Sequence, residues 1–274
     1  MAMDMTSRTV AVGRPLDAAA LRAALIRPDG LWRDVSVVAE TASTNEDLLA
    51  AARRGAPEGE VLAAEVQTAG RGRMGRSWVS LPGTALTFSV LLRPVAAPAA
   101  GRGWVPLLTG VAVASALRAE AGIDARLKWP NDVLVNGAKL AGILAEQAGD
   151  AIVVGAGVNI SAGQDDLPSA SATSLVLQGS ACTDRQVLLV AMLGQLERRY
   201  LHWIRSQRDG TGSGELRQEY LSLSATVGRQ VRVSLPGGRT LAGTAGDVDQ
   251  CGRLVVRSAD GPVSVSAGDV VHVR

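Results

Sequence analysis

The segment GRGRMGRSW, residues 70–78, decides which fold the chain can have. Gly70 to Gly75 spell G-x-G-x-x-G, the turn that joins strand to helix in a dinucleotide-binding fold and sets a pyrophosphate on the helix N-terminus. That reading needs a helix starting at the glycines and an acidic residue ~20 positions on to hold a ribose. Neither is there. Ser77-Trp78-Val79-Ser80-Leu81-Pro82-Gly83 is a poor helix former, and no Asp or Glu occurs between Arg71 and Glu120. The doubly wound reading fails. Glycines still let backbone N–H groups approach an anion, arginines bring forked donors to phosphate or carboxylate, and Trp78 offers a face to a purine. The segment is either a flap that orders around a phosphate-bearing ligand or a solvated basic loop.

Its neighbours are strands. Val61–Gln67 precedes it. Thr84–Leu92 follows and alternates, with Leu86, Phe88, Val90 and Leu92 on one face, so a half-buried strand is expected. Upstream, Leu16–Leu25 reads as a short amphipathic helix with Asp17 near its cap, and Val35–Glu40 as a strand. Ser43-Thr44-Asn45-Glu46 opens a helix ending near Gly55. Ser43 with Glu46 fits a capping box, and the same hydroxyls equally suit a small polar ligand. Downstream, Pro106 suits the first turn of a helix to about Glu120. Strands follow over Ala125–Lys128, Val133–Val135, Lys139–Glu146 and Ala151–Ile160. Glycine weakens a strand, so Gly155 and Gly157 suggest close backbone approach by a ligand. Thr183-Asp184 caps a long helix to about Gln207, with Leu189, Leu193, Leu196, Tyr200 and Trp203 as a core stripe. A glycine-rich connector, Asp209–Gly214, leads to a last helix, Glu215–Leu223.

From Ala225 the pattern changes to short strands at Gln230–Leu235, Thr240–Asp247, Leu254–Ser258, Val263–Ser266 and Val270–Val273, separated by turn clusters. A small all-β barrel appended to an α/β-type catalytic domain is expected. The boundary falls between residues 223 and 224, and residues 1–34 form a partly ordered extension with one helix, its first residues loosely held.

A second constellation lies at Lys128-Trp129-Pro130-Asn131-Asp132. Asn136-Gly137 between apolar runs is the strongest short hairpin signal. A two-residue loop pairs Val135 with Ala138, Leu134 with Lys139, and Asp132 with Ala141. Asp132 and Lys139 then share a face as diagonal neighbours, roughly 7–8 Å apart at the backbone. They form either a plain surface ion pair or a site in which Lys139 stabilises anionic oxygens and Asp132 holds a metal ion or accepts a proton.

Composition bounds the rest. With 274 residues, 47% apolar and 20% charged, this is an ordinary globular chain of one large or two smaller domains. A net charge of +2 is too small for a dedicated nucleic-acid binder. Cys182 and Cys251 have no metal-ligand spacing and read as reduced thiols. There is no secretory h-region, and the most apolar stretch, Trp104 to Leu117, is shorter than the ~18 residues a membrane span needs. A cytoplasmic protein with no membrane association is expected.

Taken in order, these pieces resemble the biotin protein ligase family. The matching residues are Ser43-Thr44-Asn45, Gln67, Gly70 to Trp78, Lys128 to Asp132, Lys139-Leu140-Ala141-Gly142-Ile143 and Gly155-Ala156-Gly157-Val158-Asn159, over about residues 35–274. Each motif alone is weak; the ordered set is specific. The resemblance implies an α+β fold: a mixed β-sheet catalytic domain packed with helices, like class II synthetases, plus a small C-terminal SH3-like β-barrel. It implies that biotin and Mg-ATP give biotinyl-5′-AMP, and that a lysine of a biotin carboxyl carrier domain of an acyl-CoA carboxylase then takes the biotin.

By the same resemblance, Ser43, Thr44, Asn45 and Gln67 take the biotin head, with Gly70, Arg71, Gly72, Arg73, Gly142, Gly155 and Gly157 completing the biotin side. Lys139 contacts the biotin carboxylate and the α-phosphate. Arg73 retains the adenylate, and with Lys139 and Asp132 makes up the catalytic set. Arg73, Arg76, Trp78, Lys128, Asn131 and Asn159 form the ATP side, Trp78 against adenine. Asp132 is the candidate Mg²⁺ partner or base. Two departures stand out. The 42 residues before Ser43 are too few for the winged-helix repressor domain of many bacterial relatives, so a ligase without specific DNA binding is expected. Ser77 also stands where some relatives carry lysine, which removes a positive charge. Arg274 is a further arginine that reaches towards ATP by analogy. The rivals are a lipoate or octanoate protein ligase, which would want a long apolar channel, and a nucleic-acid-binding regulator using the basic loop.

Overall fold

The computed structural model describes residues 13–273; the first residues and Arg274, both singled out above, lie outside the described residues. The larger sheet holds seven strands: β1 (Asp34–Thr41), β2 (Glu60–Gln67), β3 (Ala85–Leu92), β4 (Arg126–Lys128), β5 (Asp132–Val135), β6 (Ala138–Ala148) and β7 (Ala151–Asn159). Their order is β1-β2-β3-β7-β6-β5-β4. β1 and β2 run parallel and the remaining pairs antiparallel, so the sheet is mixed.

Helix α2 (Thr44–Arg53) covers one face of this sheet through Leu48, Leu49 and Ala52, which meet Leu62, Leu91 and Val153. Helices α1 (Ala18–Leu25), α3 (Trp104–Glu120) and α4 (Arg185–Arg208) lie on the other face with α5 (Gly214–Leu223) beside them. Asp17 and Asp184 cap α1 and α4, each carboxylate accepting from two first-turn N–H groups. The α4 stripe Leu189, Leu193, Leu196, Tyr200 and Trp203 is buried against this layer.

β3 departs from the half-buried strand its alternation suggests: every residue from Ala85 to Leu92 is buried. The reason is position. β3 lies between β2 and β7 with helices on both faces, so Leu91 packs under α2 while Leu86, Phe88 and Val90 enter the larger core. Thr87 and Ser89 share the α2 face with Leu91 and turn their hydroxyls inward there.

The C-terminal part is a five-stranded antiparallel sheet of β8 (Gln230–Ser234), β9 (Thr240–Val248), β10 (Leu254–Ser258), β11 (Gly261–Val265) and β12 (Asp269–His272), ordered β11-β10-β9-β8-β12. No ladder joins β11 to β12 among the described residues, so of the small SH3-like barrel that was expected the structure shows a β-domain with one open five-stranded sheet. It is docked firmly. Its inward side chains, including Val231, Val248 and Leu254, continue the core of the larger part. Trp104 Nε1 donates to the carbonyl of Gln250 at 2.9 Å and Trp129 Nε1 to that of Gly252 at 3.1 Å. Both indoles thus bury their rings and still satisfy their N–H groups.

Candidate active site

The Asn-Gly turn sets the first part of the site. Asn136 and Gly137 have φ of 50° and 81°, as a two-residue type I′ hairpin requires. Val135 faces Ala138 and Leu134 faces Lys139 as the turn predicts, but the ladder then shifts, Val133 facing Ala141 and Asp132 facing Gly142. The expected pairing of Asp132 with Ala141 is therefore off by one. The backbone of Lys139 is engaged on its other side, its N–H donating to Ser171 and its carbonyl accepting from Thr173. One extra residue bulges out to allow this. The shift serves the ion pair. Asp132 looks across a residue with no side chain, Lys139 occupies that space, and Lys139 Nζ lies 2.6 Å from Asp132 Oδ1. That oxygen is buried and makes no well-aligned hydrogen bond, so charge rather than directional bonding holds the contact.

Asn131 is pinned to β6 twice, its carbonyl accepting from the Ile143 N–H and its Nδ2 donating to the Ile143 carbonyl. Its Oδ1 is left to accept from Arg73 Nη1 at 3.3 Å. Arg73 and Lys139 therefore converge on the Asn131–Asp132 corner. Burial lowers the Arg73 pKa most, Asp269 opposes that shift, and Arg76 adds to it. A guanidinium nevertheless stays charged in a protein.

The Gly70–Trp78 segment folds back on itself over the sheet. Gly72 N–H donates to Arg76, Trp78 N–H to Gly70, and Arg71 bridges Ser77. The Trp78 indole lies on the strand backbone: a Cβ at Gly157 would sit 2.3 Å from Trp78 Cε2, and one at Gly142 would sit 3.2 Å from Cζ3. At Gly155 the close neighbours are Asn45 Oδ1 and Ser89 Oγ. The glycines of β7 thus make room for this chain's own side chains, where the sequence pointed to a ligand. Gly70 admits the Trp78 carbonyl and does not border the cavity.

At the start of α2 the expected capping box is absent. Ser43 makes no side-chain cap bond, and Glu46 is exposed. Ser43 is buried at the cavity wall, and the neighbouring Thr44 N–H donates to Gln67 Oε1 at 2.8 Å.

These parts enclose one cavity of about 820 Å³. Every predicted site residue except Gly70 borders it: Ser43, Thr44, Asn45 and Gln67 at one end, Lys128, Asn131, Asp132, Lys139 and Asn159 at the other, Arg71, Gly72, Arg73, Arg76 and Trp78 above, and Gly142, Gly155 and Gly157 below. The sequence reading missed Thr87 and Ser89, whose signal was two hydroxyls on one face of an otherwise apolar strand. It also missed Arg229 and His272, which the small domain contributes and no local pattern marks. Among the described wall residues, Arg71, Arg73, Arg76, Lys128, Lys139 and Arg229 are cationic and Asp132 alone is acidic. The excess suits a polyanion. No three His, Cys, Asp or Glu side chains cluster to hold a metal among the described residues.

A mixed sheet whose open face carries a glycine–arginine cover, ringed by cations and walled partly by a second β-domain, defines a ligase that activates a carboxylate with a nucleotide. The chain is 44% identical to the biotin–[acetyl-CoA-carboxylase] ligase of Mycobacterium tuberculosis over 95% of its own length and 97% of that protein's. It belongs to the biotin protein ligase family, a family of ATP-dependent ligases. The model of the biotin/lipoate A/B protein ligase family matches residues 37–161, and that of the biotin protein ligase C-terminal domain matches residues 226–273. The bifunctional ligase/repressor BirA of Escherichia coli is 31% identical over 79% of this chain and 67% of its own length. Among solved structures, the Aquifex aeolicus biotin protein ligase in complex with biotin and ATP superposes with a TM-score of 0.73 at 27% identity, covering 89% of this chain and 100% of that one.

Proposed function

We propose that the chain joins biotin to ATP and then biotin to a protein. In the first step a biotin carboxylate oxygen attacks the α-phosphorus, the bond to the β,γ-phosphates breaks, and biotinyl-5′-AMP and pyrophosphate form. In the second, a lysine amine of a biotin carboxyl carrier domain attacks the acyl carbon, an amide forms, AMP leaves and the amine gives up a proton. The observation that carries this reading is the convergence of Lys139 and Arg73 on the Asn131–Asp132 corner of a cationic cavity. Two anions must meet there, and fixed cations lower their repulsion and stabilise charge developing at phosphorus.

On this reading Ser43, Thr44, Asn45 and Gln67 take the ring end of biotin, and Lys139 bridges its carboxylate and the α-phosphate. Lys128, Asn131, Asn159, Arg76 and Trp78 serve the nucleotide, and the cover excludes water from the adenylate. Asp132, the single wall carboxylate among the described residues, would hold a magnesium ion that also takes phosphate oxygens, and the ion would offset charge on the triphosphate. The alternative role for the same side chain is that of base for the amine's proton. We divide the chain at residues 223 and 224, take the small domain as SH3-like, and place the protein in the cytoplasm, where ATP and acyl-CoA carboxylases meet.

The test is ATP–pyrophosphate exchange with biotin and with lipoate in parallel. Exchange with biotin is expected, and exchange with lipoate alone removes the substrate assignment. Lys139→Ala is expected to lower exchange by roughly 10² or more with an unchanged melting temperature. Near-normal turnover removes Lys139 from the chemistry.

A further inference from the structure

Glu146, on β6, does not border the cavity, yet both of its carboxylate oxygens are engaged. Oε1 pairs with Arg71 Nη2 of the cover at 2.9 Å, and Oε2 accepts from Asn45 Nδ2 at 2.9 Å. The other end of Asn45 continues the chain. Its Oδ1 accepts from Ser89 Oγ at 2.7 Å. Ser89 Oγ lies 2.7 Å from Thr44 Oγ1, which lies 3.0 Å from Gln67 Oε1. Gln67 and Arg71 flank the root of the cover, close in sequence, and are joined the long way round through α2, β3 and β6.

The four oxygens from Gln67 to Asn45 make three contacts, but the two hydroxyls bring only two protons. Thr44 Oγ1 can donate to Gln67 or to Ser89, not to both. A ligand that engages Gln67 or Thr44 therefore selects the direction of the Thr44 hydroxyl. When Thr44 donates to Ser89, Ser89 must send its own proton to Asn45; when Thr44 donates to Gln67, Ser89 is free to turn to Thr44 and release Asn45. Asn45 in turn orients the carboxylate that holds Arg71. Such buried chains couple their members beyond pairwise contact.

We propose that Glu146 is a positioning residue that couples occupation of the Thr44–Gln67 end of the cavity to the seating of the Arg71 cover. The proposal rests on the reading above in taking the occupant of that end to be the ureido ring of biotin. Glu146 touches neither substrate nor reacting atoms. It acts through Arg71 and Asn45.

The test uses the full chain and biotin without ATP. Trypsin cleavage after Arg73 and Arg76 is followed with and without biotin, and biotin KM and kcat are read from exchange. Glu146→Gln keeps an acceptor for Asn45 and loses the charge facing Arg71. It is expected to raise biotin KM about threefold to fivefold, with kcat within about twofold, and to lose most of the protection that biotin confers. Arg71→Gln, a change at a half-exposed side chain, should raise biotin KM similarly, and the double variant should add little to either. Wild-type KM and protection in Glu146→Gln, or effects that simply add in the double variant, overturn the proposal. If Glu146→Gln does not fold, wild-type biotin KM in Arg71→Gln overturns it. Loss of the biotin reading itself looks different: the unaltered protein then shows no biotin-dependent exchange at all.

Discussion

A Cβ at Gly157 would sit 2.3 Å from a ring atom of Trp78, closer than non-bonded carbons come. The residue that yields is Trp78, because its ring belongs to the cover and the backbone of β7 lies in the middle of the sheet. Gly157→Ala is therefore expected to unseat the indole while leaving the core alone: melting within a few degrees of wild type, and exchange lowered roughly tenfold through misplaced groups. A large fall in melting temperature with normal exchange would show that the strand yields instead. The pairing of Asp132 with Lys139 likewise depends on a glycine. The Asn-Gly turn foretold that the two side chains reach each other. It did not foretell that Gly142 stands opposite Asp132, because the bulge answers to Ser171 and Thr173, far along the chain.

Among the elements, β3 does two jobs. Its Leu86, Phe88 and Val90 fill the larger core, and its Thr87 and Ser89 supply hydroxyls to the cavity wall. Leu86 is fully buried, so Leu86→Ala should leave a cavity and cost about 2–5 kcal/mol of unfolding free energy. Denaturant melts measure this, and a cost under about 1 kcal/mol would mean that the layers collapse around the gap. Alternation along the sequence marked the apolar face correctly. Burial of the polar face was hidden, because it depends on α2 lying across that side of the sheet. Helix α2 shows the same division. Its start at Ser43 was legible from the residue types, whereas the Ser43 side chain makes no cap bond and is buried at the cavity wall, next to the Thr44 N–H that Gln67 of β2 accepts.

For the whole molecule, the small domain completes the site. His272 and Arg229 reach the cavity from it, and Arg76 of the cover pairs with Asp269 at 2.7 Å. His272 Nε2 lies 3.1 Å from Thr226 Oγ1, and the same oxygen accepts from the Trp129 N–H. The Thr226 proton is thus free to go to His272, which suits a neutral ring. Burial, then Lys128 and Arg229, hold the His272 pKa below its usual 6.5. The unfolded chain consequently takes up this proton first as pH falls. The stability tied to the neutral ring is complete above pH 6.5 and is lost progressively below it, towards the lowered folded value. The melting temperature should drop more steeply between about pH 7 and pH 5.5 in the wild type than in His272→Gln, which keeps an acceptor for Thr226. Equal slopes would remove His272 from the acid response.

The sequence alone determined what depends on neighbours along the chain. Periodicity located the helices and strands, Asn136-Gly137 specified the hairpin, and the missing acid after the glycine–arginine segment ruled out a dinucleotide fold. The ordered motifs pointed to the family. Tertiary structure alone decided what depends on residues that meet across the molecule. It set the one-residue shift opposite Gly142, the seat of Trp78 on Gly157, the part the small domain takes in the wall, and the link from Gln67 through Glu146 to Arg71. Local propensity acts over a few bonds, whereas close packing and the need to pair buried polar groups act between elements, and only the folded chain brings those partners within reach.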